Sequence, residues 1–148
     1  MEIARNQAMV AFRALTQTIK FENEVNKYAA SRNIKKLRSI AEDAEEYTQE
    51  RRLKHCFKDK DQCPVKDEKG NMKFIESEEK KFVHALKEYT SEKIEFEPYQ
   101  FRANKEMEKH KYFFINSDLE FLLDSELTKE PESLENKQNG ILEKTLQS

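Results

Sequence analysis

The sequence predicts a mainly α protein with a small β element, an α+β fold in which one long helix is covered by shorter helices and a short two-stranded ribbon. Three observations predict it. Between Glu22 and Arg52, the residues Ala30, Ile34, Leu37, Ile40, Ala41, Ala44, Tyr47 and Thr48 share one side of a helical wheel. Their opposite side carries Lys35, Lys36, Arg38, Glu42, Asp43, Glu45, Glu46, Gln49 and Glu50. The chain has only 2 Gly and 3 Pro for turns, yet 10 Phe and 5 Tyr to supply buried area. Finally, Ile94 and Phe96 alternate with Glu95 and Glu97, the period of a half-buried strand.

A helix with so narrow an apolar seam does not bury it alone, so neighbouring segments or a second copy must cover it. Ahead of it, Ala4, Ala8, Ala11, Phe12, Leu15 and Ile19 predict a first helix over about Ile3 to Ile19, with Met9 and Val10 off its core face. Val25 and Tyr28 lie opposite the Leu37 seam, which predicts a kink or restart near Ser31–Asn33. Beyond Arg52 the phase slips again, with Leu53 and Phe57 turned away, so the helix is expected to end, bend or meet a different neighbour near Lys54–Lys58.

Lys58 to Gly70 reads as a charged loop closed by a turn at Gly70 or Asn71. Its acidic residues fail as a calcium loop, because Cys63 and Pro64 stand where a ligand and the central glycine belong. Met72–Ile75 is expected as a strand pairing with Ile94–Phe96. Between them Ser77 is expected to cap a helix burying Phe82, Ala85, Leu86 and Tyr89. Gln100–Lys111 is expected as an exposed connection or short surface helix. Ser117 and Glu120 stand in capping-box spacing ahead of a leucine helix carrying Leu119, Leu122, Leu123 and Leu127. One mostly helical domain is expected over 1–127, and a polar, flexible tail over 128–148.

The net charge of −2 gives no general attraction to phosphate backbones. Phosphate contact would fall to Arg32, Lys35, Lys36 and Arg38, but the acidic block after them disfavours a continuous duplex. No run approaches the length of a membrane span, and Met1 to Lys20 has no signal-peptide core. Cys56 and Cys63 are expected as free thiols: His55, Cys56, Cys63 and His84 match no compact zinc spacing. No phosphate-binding Gly loop, nucleophile elbow or His-Glu-x-x-His helix is present, so neither catalytic residues, a metal nor a cofactor is expected. The apolar residues beyond the needs of one core, Met9, Val10, Val25, Tyr28, Leu53 and Phe57, point instead to docking on another protein or on a second copy.

The order of "NIKKLRSIAEDAEEYTQERR", "DEKGNMKF", "EEKKFVHALKEYTSEKIEFEPYQF" and "NSDLEFLLDSEL" resembles a family of small, functionally uncharacterised proteins of tailed bacteriophages and prophages, commonly encoded among late genes. The resemblance spans about Ala8 to Leu127; the Cys-containing loop and the segment after Pro131 depart from it. It implies a non-enzymatic protein of the host cytoplasm or the virion, acting through protein contacts as a minor structural or assembly factor. A soluble inhibitor of a host enzyme or defence protein, and a nucleic-acid-associated regulator, are the alternatives.

Overall fold

A computed structural model describes residues 1–129. The elements in order are β1 (Glu2–Ala4), α1 (Arg5–Arg13) continuing into a π-turn (Ala14–Thr18), α2 (Glu24–His55), α3 (Glu76–Ser91), β2 (Lys93–Glu95), α4 (Lys105–Asn116), a 3-10 turn (Glu120–Leu122) and α5 (Ser125–Thr128). The fold is mainly α with a small antiparallel ribbon, as the sequence predicts. Contacts group the chain into two units, Met1–Tyr99 and Gln100 onward. The tail expected over 128–148 lies, from 130 on, outside the described residues.

In the first unit α2 is the 32-residue spine, and α1 and α3 both pack on it. Its buried seam is Asn26, Ala30, Asn33 and Leu37, at three- and four-residue steps, and Ala44 two turns further on. Opposite it, α1 buries Ala8 and Ala11, side chains small enough to let two backbones approach closely. The helix starts where Asn23 accepts hydrogen bonds from the backbone N–H groups of Val25 and Asn26, at 2.9 and 3.3 Å. It then runs unbroken to His55, so the restart expected near Ser31–Asn33 does not occur. The phase shift had a different origin: Asn26 and Asn33 are fully buried, and a seam carrying two amides does not register as apolar.

Asn33 repays its burial with a two-way clamp. Its Nδ2 donates to the Tyr99 carbonyl at 2.7 Å, and its Oδ1 accepts from the Tyr99 N–H at 2.8 Å. The strand exit at the end of this unit is thereby fixed to the spine. A second fastening is a layered stack. The Arg5 guanidinium lies 3.9 Å from the Tyr89 ring centroid. Tyr89 in turn stacks on Tyr47 at 3.9 Å, and Arg51 sits 5.3 Å from Tyr47. Side chains of α1, α2 and α3 meet in it.

The ribbon differs in its pairing. β2 pairs antiparallel with β1, matching Ile3 to Ile94, rather than with Met72–Ile75. Geometry excludes the expected pair, because the 16-residue α3 directly joins the two segments and holds its ends about 24 Å apart. The first residues of the predicted first helix supply the strand instead, and Arg5 begins the helix after Gln7 accepts from the Ala4 N–H at 2.8 Å. α3 begins at Glu76 with Ile75 at its N-cap, two residues ahead of the expected cap at Ser77, and carries Glu76, Glu78 and Glu79 in its first turn.

Between α2 and α3 the chain makes two successive loops of one design. Asp59 accepts from the N–H groups of Asp61 and Cys63, and Asp67 accepts from those of Lys69 and Asn71. Gln62 and Gly70 hold matching positive φ angles of 63° and 81°. Met72 bridges to Lys66 inside this double loop.

In the second unit the capping-box reading is overturned. Ser117 is the C-cap of α4, not the start of a helix. Asp118 takes a φ of 61°, its N–H bonds the Ile115 carbonyl, and the Leu119 N–H bonds the Phe114 carbonyl at 2.7 Å. That pair of bonds is a Schellman motif, and Phe114 and Leu119, both fully buried, supply its apolar contact positions. Leu119, Leu122, Leu123 and Leu127 are all buried as expected, but from a 3-10 turn and a four-residue helix. Gln100–Lys111, expected to be exposed, contains the buried Phe101 and Met107 and most of α4, whose start is capped by Asn104. Phe101 and Phe114 pack with ring centroids 5.6 Å apart.

Two substitutions check these assignments by urea unfolding. Asn33→Ala should cost about 2 kcal/mol, since it strands a backbone donor and acceptor at Tyr99. In the second unit, Ser117→Ala should be neutral within about 0.5 kcal/mol. Asp118→Val should cost about 1–2 kcal/mol by forcing a β-branched residue into the left-handed region; the capping-box reading ranks these two the other way.

Candidate contact surface

A groove of about 970 Å³ lies between α1 and the second half of α2. Met9 and Phe12 line it from α1, with Arg13 and Gln17 beyond. From α2 come Ala41 and Leu53 as apolar lining and Glu42, Glu45, Glu46 and Glu50 as carboxylates. The groove exists because the two helices touch through alanines: small residues at the contact leave the longer side chains on either side standing clear as walls. Four carboxylates face two guanidinium groups, those of Arg13 and Arg52, so the lining is net negative. Arg52 is also drawn toward the Phe82 ring, at 5.8 Å, and toward Gln49.

Of the six residues singled out for docking, Met9 and Leu53 line this groove. Val10 is half-buried on α1 outside its lining. Val25 and Tyr28 lie on the outer face of α2's first turns, 59% and 55% exposed, with Tyr28 edge-on to Tyr99 at 5.5 Å. Phe57 is exposed just past the α2 C-cap, where its backbone bonds Lys73 and Val65 of the double loop. Arg32, Lys35, Lys36 and Arg38 are all exposed on α2. They do not form one patch: Lys36 donates to the Glu97 carbonyl at 2.9 Å, and Arg38 leans toward Phe12 at 6.0 Å. Phe12 is the groove residue that sequence reasoning assigned to the core; it is half-buried, shared between the two roles.

The residues weighed for zinc are dispersed. Cys56 is a buried free thiol and Cys63 an exposed one. His84 pairs with Glu88 on the outside of α3. Among the described residues no group of three or more His, Cys, Asp or Glu side chains is placed to hold a metal ion. His55 is buried, its Nδ1 lying 2.8 Å from Glu78 Oε2, while its Nε2 has no hydrogen-bond partner. This pair locks the last turn of α2 to the first turn of α3. The bond from His55, and next that from Lys81, holds the Glu78 carboxyl below the usual glutamate value of 4.5.

Among the described residues no helix is long and apolar enough to cross a membrane. No protein-family model, curated protein or solved structure matches this chain.

The Glu78 shift has a definite sign in stability. A carboxyl whose folded pKa is depressed stabilises the fold above its unfolded value, and that contribution disappears as pH falls through the lower folded value. Unfolding midpoints of the wild type and Glu78→Gln should therefore differ most above pH 4.5 and converge in more acidic solution. A gap that stays constant into acid would remove the ionic role of this pair.

Proposed function

We propose that this is a phage-encoded, non-enzymatic protein that works by protein contact, as a minor structural or assembly factor of the virion. The observation that carries the contact reading is the groove: an apolar lining of Met9, Phe12 and Leu53 beside carboxylates that form no ion pair among the described residues, open along the outer side of α2. Such a surface suits a partner segment that is apolar on one side and basic along its edge. Burial of the apolar side supplies affinity, and the carboxylates orient the incoming helix. The phage assignment rests on the order of segments in the sequence. It fits a small chain whose outer helix face is built for docking.

Mass spectrometry of purified particles and of head and tail intermediates tests the reading. The protein should appear at a constant ratio to the major structural proteins. Glu42→Lys combined with Glu45→Lys, both on the exposed side of α2, should leave helicity unchanged and deplete the protein from particles about tenfold. Absence from every particle and intermediate would transfer the protein to the class of soluble modulators of host proteins.

A further inference from the structure

We infer that the partner of this groove is a second copy of the chain, docked so that the two α2 helices run antiparallel across a two-fold axis beside Ile40 and Ala41. The inference rests on the contact reading and names its occupant. On the wheel of α2, Tyr28, Lys35, Ser39, Glu42, Glu46 and Leu53 form one strip directly opposite Leu37, and all six are exposed. Read from its start, the strip is apolar, basic, neutral, acidic and apolar again. The order is its own complement when reversed. Antiparallel about the stated axis, Tyr28 meets Leu53 of the second copy, Lys35 meets Glu46, and Ser39 meets Glu42, each contact occurring twice. A parallel pair would set like charge on like.

Two further facts favour this occupant. First, the charges are unspent among the described residues. Among the described residues, the ion pairs that involve α2 are Lys27–Glu24 and His55–Glu78, at opposite ends of the helix and outside this strip. Lys35 and Glu46 are therefore both available. Second, the basic, apolar-edged segment that the groove requires is present in the chain itself: the exposed Val25 and Tyr28 followed by Arg32 and Lys35. The 130–148 segment is the other covalently available occupant, but it carries Glu130, Glu132, Glu135 and Glu143 against Lys137 and Lys144, the same sign as the rim.

The size of the strip sets the strength. Tyr28 to Leu53 spans about 38 Å of helix and the strip is about 12 Å wide, so with the α1 wall the pair buries about 1,000 Å² in total. That is the lower bound for a specific interface, and the pair is expected to be weak, reversible and salt-sensitive.

Light scattering during gel filtration of the full chain, loaded from about 10 μM to about 1 mM in low salt, reads the outcome. A concentration-dependent dimer is expected. Lys35→Glu and Glu46→Lys should each weaken it about tenfold or more, by placing like charges together twice, and the double variant should restore it. Circular dichroism of the exposed-face variants should match the wild type. A chain that stays monomeric across the series, or a dimer indifferent to both reversals, overturns the antiparallel pair. A monomer that is still found in particles would remove the second copy as occupant and leave the contact reading standing; a charge-dependent dimer missing from particles would keep the second copy and remove the assembly role in the virion.

Discussion

The structure depends on a contact made mostly of alanine. Ala8 and Ala11 of α1 are buried, as are Ala30 and Ala44 of α2, with Leu37 between the latter as the one large side chain of the seam's middle. Alanines bring helices close but bury little area each, so the seam gains less from the hydrophobic effect than a leucine seam of equal length. It also discriminates poorly between neighbouring registers, because one methyl group resembles another. What fixes the register is polar: the Asn33 clamp on Tyr99, the Arg5–Tyr89–Tyr47–Arg51 stack and the His55–Glu78 bond lie along the spine. Each has a directional requirement that a slip of one turn would break.

That division of labour explains which parts of the fold were legible in the sequence. Helices α1, α2 and α3 announce themselves by periodicity, and the burial of Leu119, Leu122, Leu123 and Leu127 follows from hydrophobicity alone. The polar devices leave no such trace. Asn26 and Asn33 occupy seam positions yet count as polar, so a continuous helix looked interrupted. Ser-x-x-Glu at Ser117 satisfies a start signal, but the same residues end α4 because Asp118 adopts the left-handed conformation that aspartate tolerates. Strand pairing fails for a third reason. Ile94 and Phe96 show that a strand exists, whereas its partner is chosen by where a rigid helix leaves the chain ends, which a local pattern does not encode.

The groove was legible residue by residue and illegible as a surface. Met9 and Leu53 stood out because they break helical phase, and the structure places both on one groove. Phe12 keeps phase with the α1 core, so nothing local distinguishes it from a fully buried residue. Val25, Tyr28 and Leu53 break phase too, and only a continuous α2 puts Tyr28 and Leu53 on a common face. Had α2 stopped and restarted near Asn33, its first turns would be rotated off that line.

The continuity of α2 also makes its charge layout informative. An isolated helix is best served by alternating charge, with glutamate four residues ahead of lysine. Here Glu42, Glu46 and Glu50 succeed one another at four-residue steps, and Arg32 precedes Lys36 by the same interval. Each such like-charged pair costs the helix a few tenths of a kcal/mol in water, which Arg38 four residues ahead of Glu42 and Glu50 four ahead of Lys54 offset only in part. Segregation of this kind is unfavourable for a helix that faces only solvent, and becomes favourable once an opposed surface presents the reverse order. Because the basic block precedes the acidic one on a single unbroken helix, the surface meeting that requirement with least new chemistry is the same helix turned end for end.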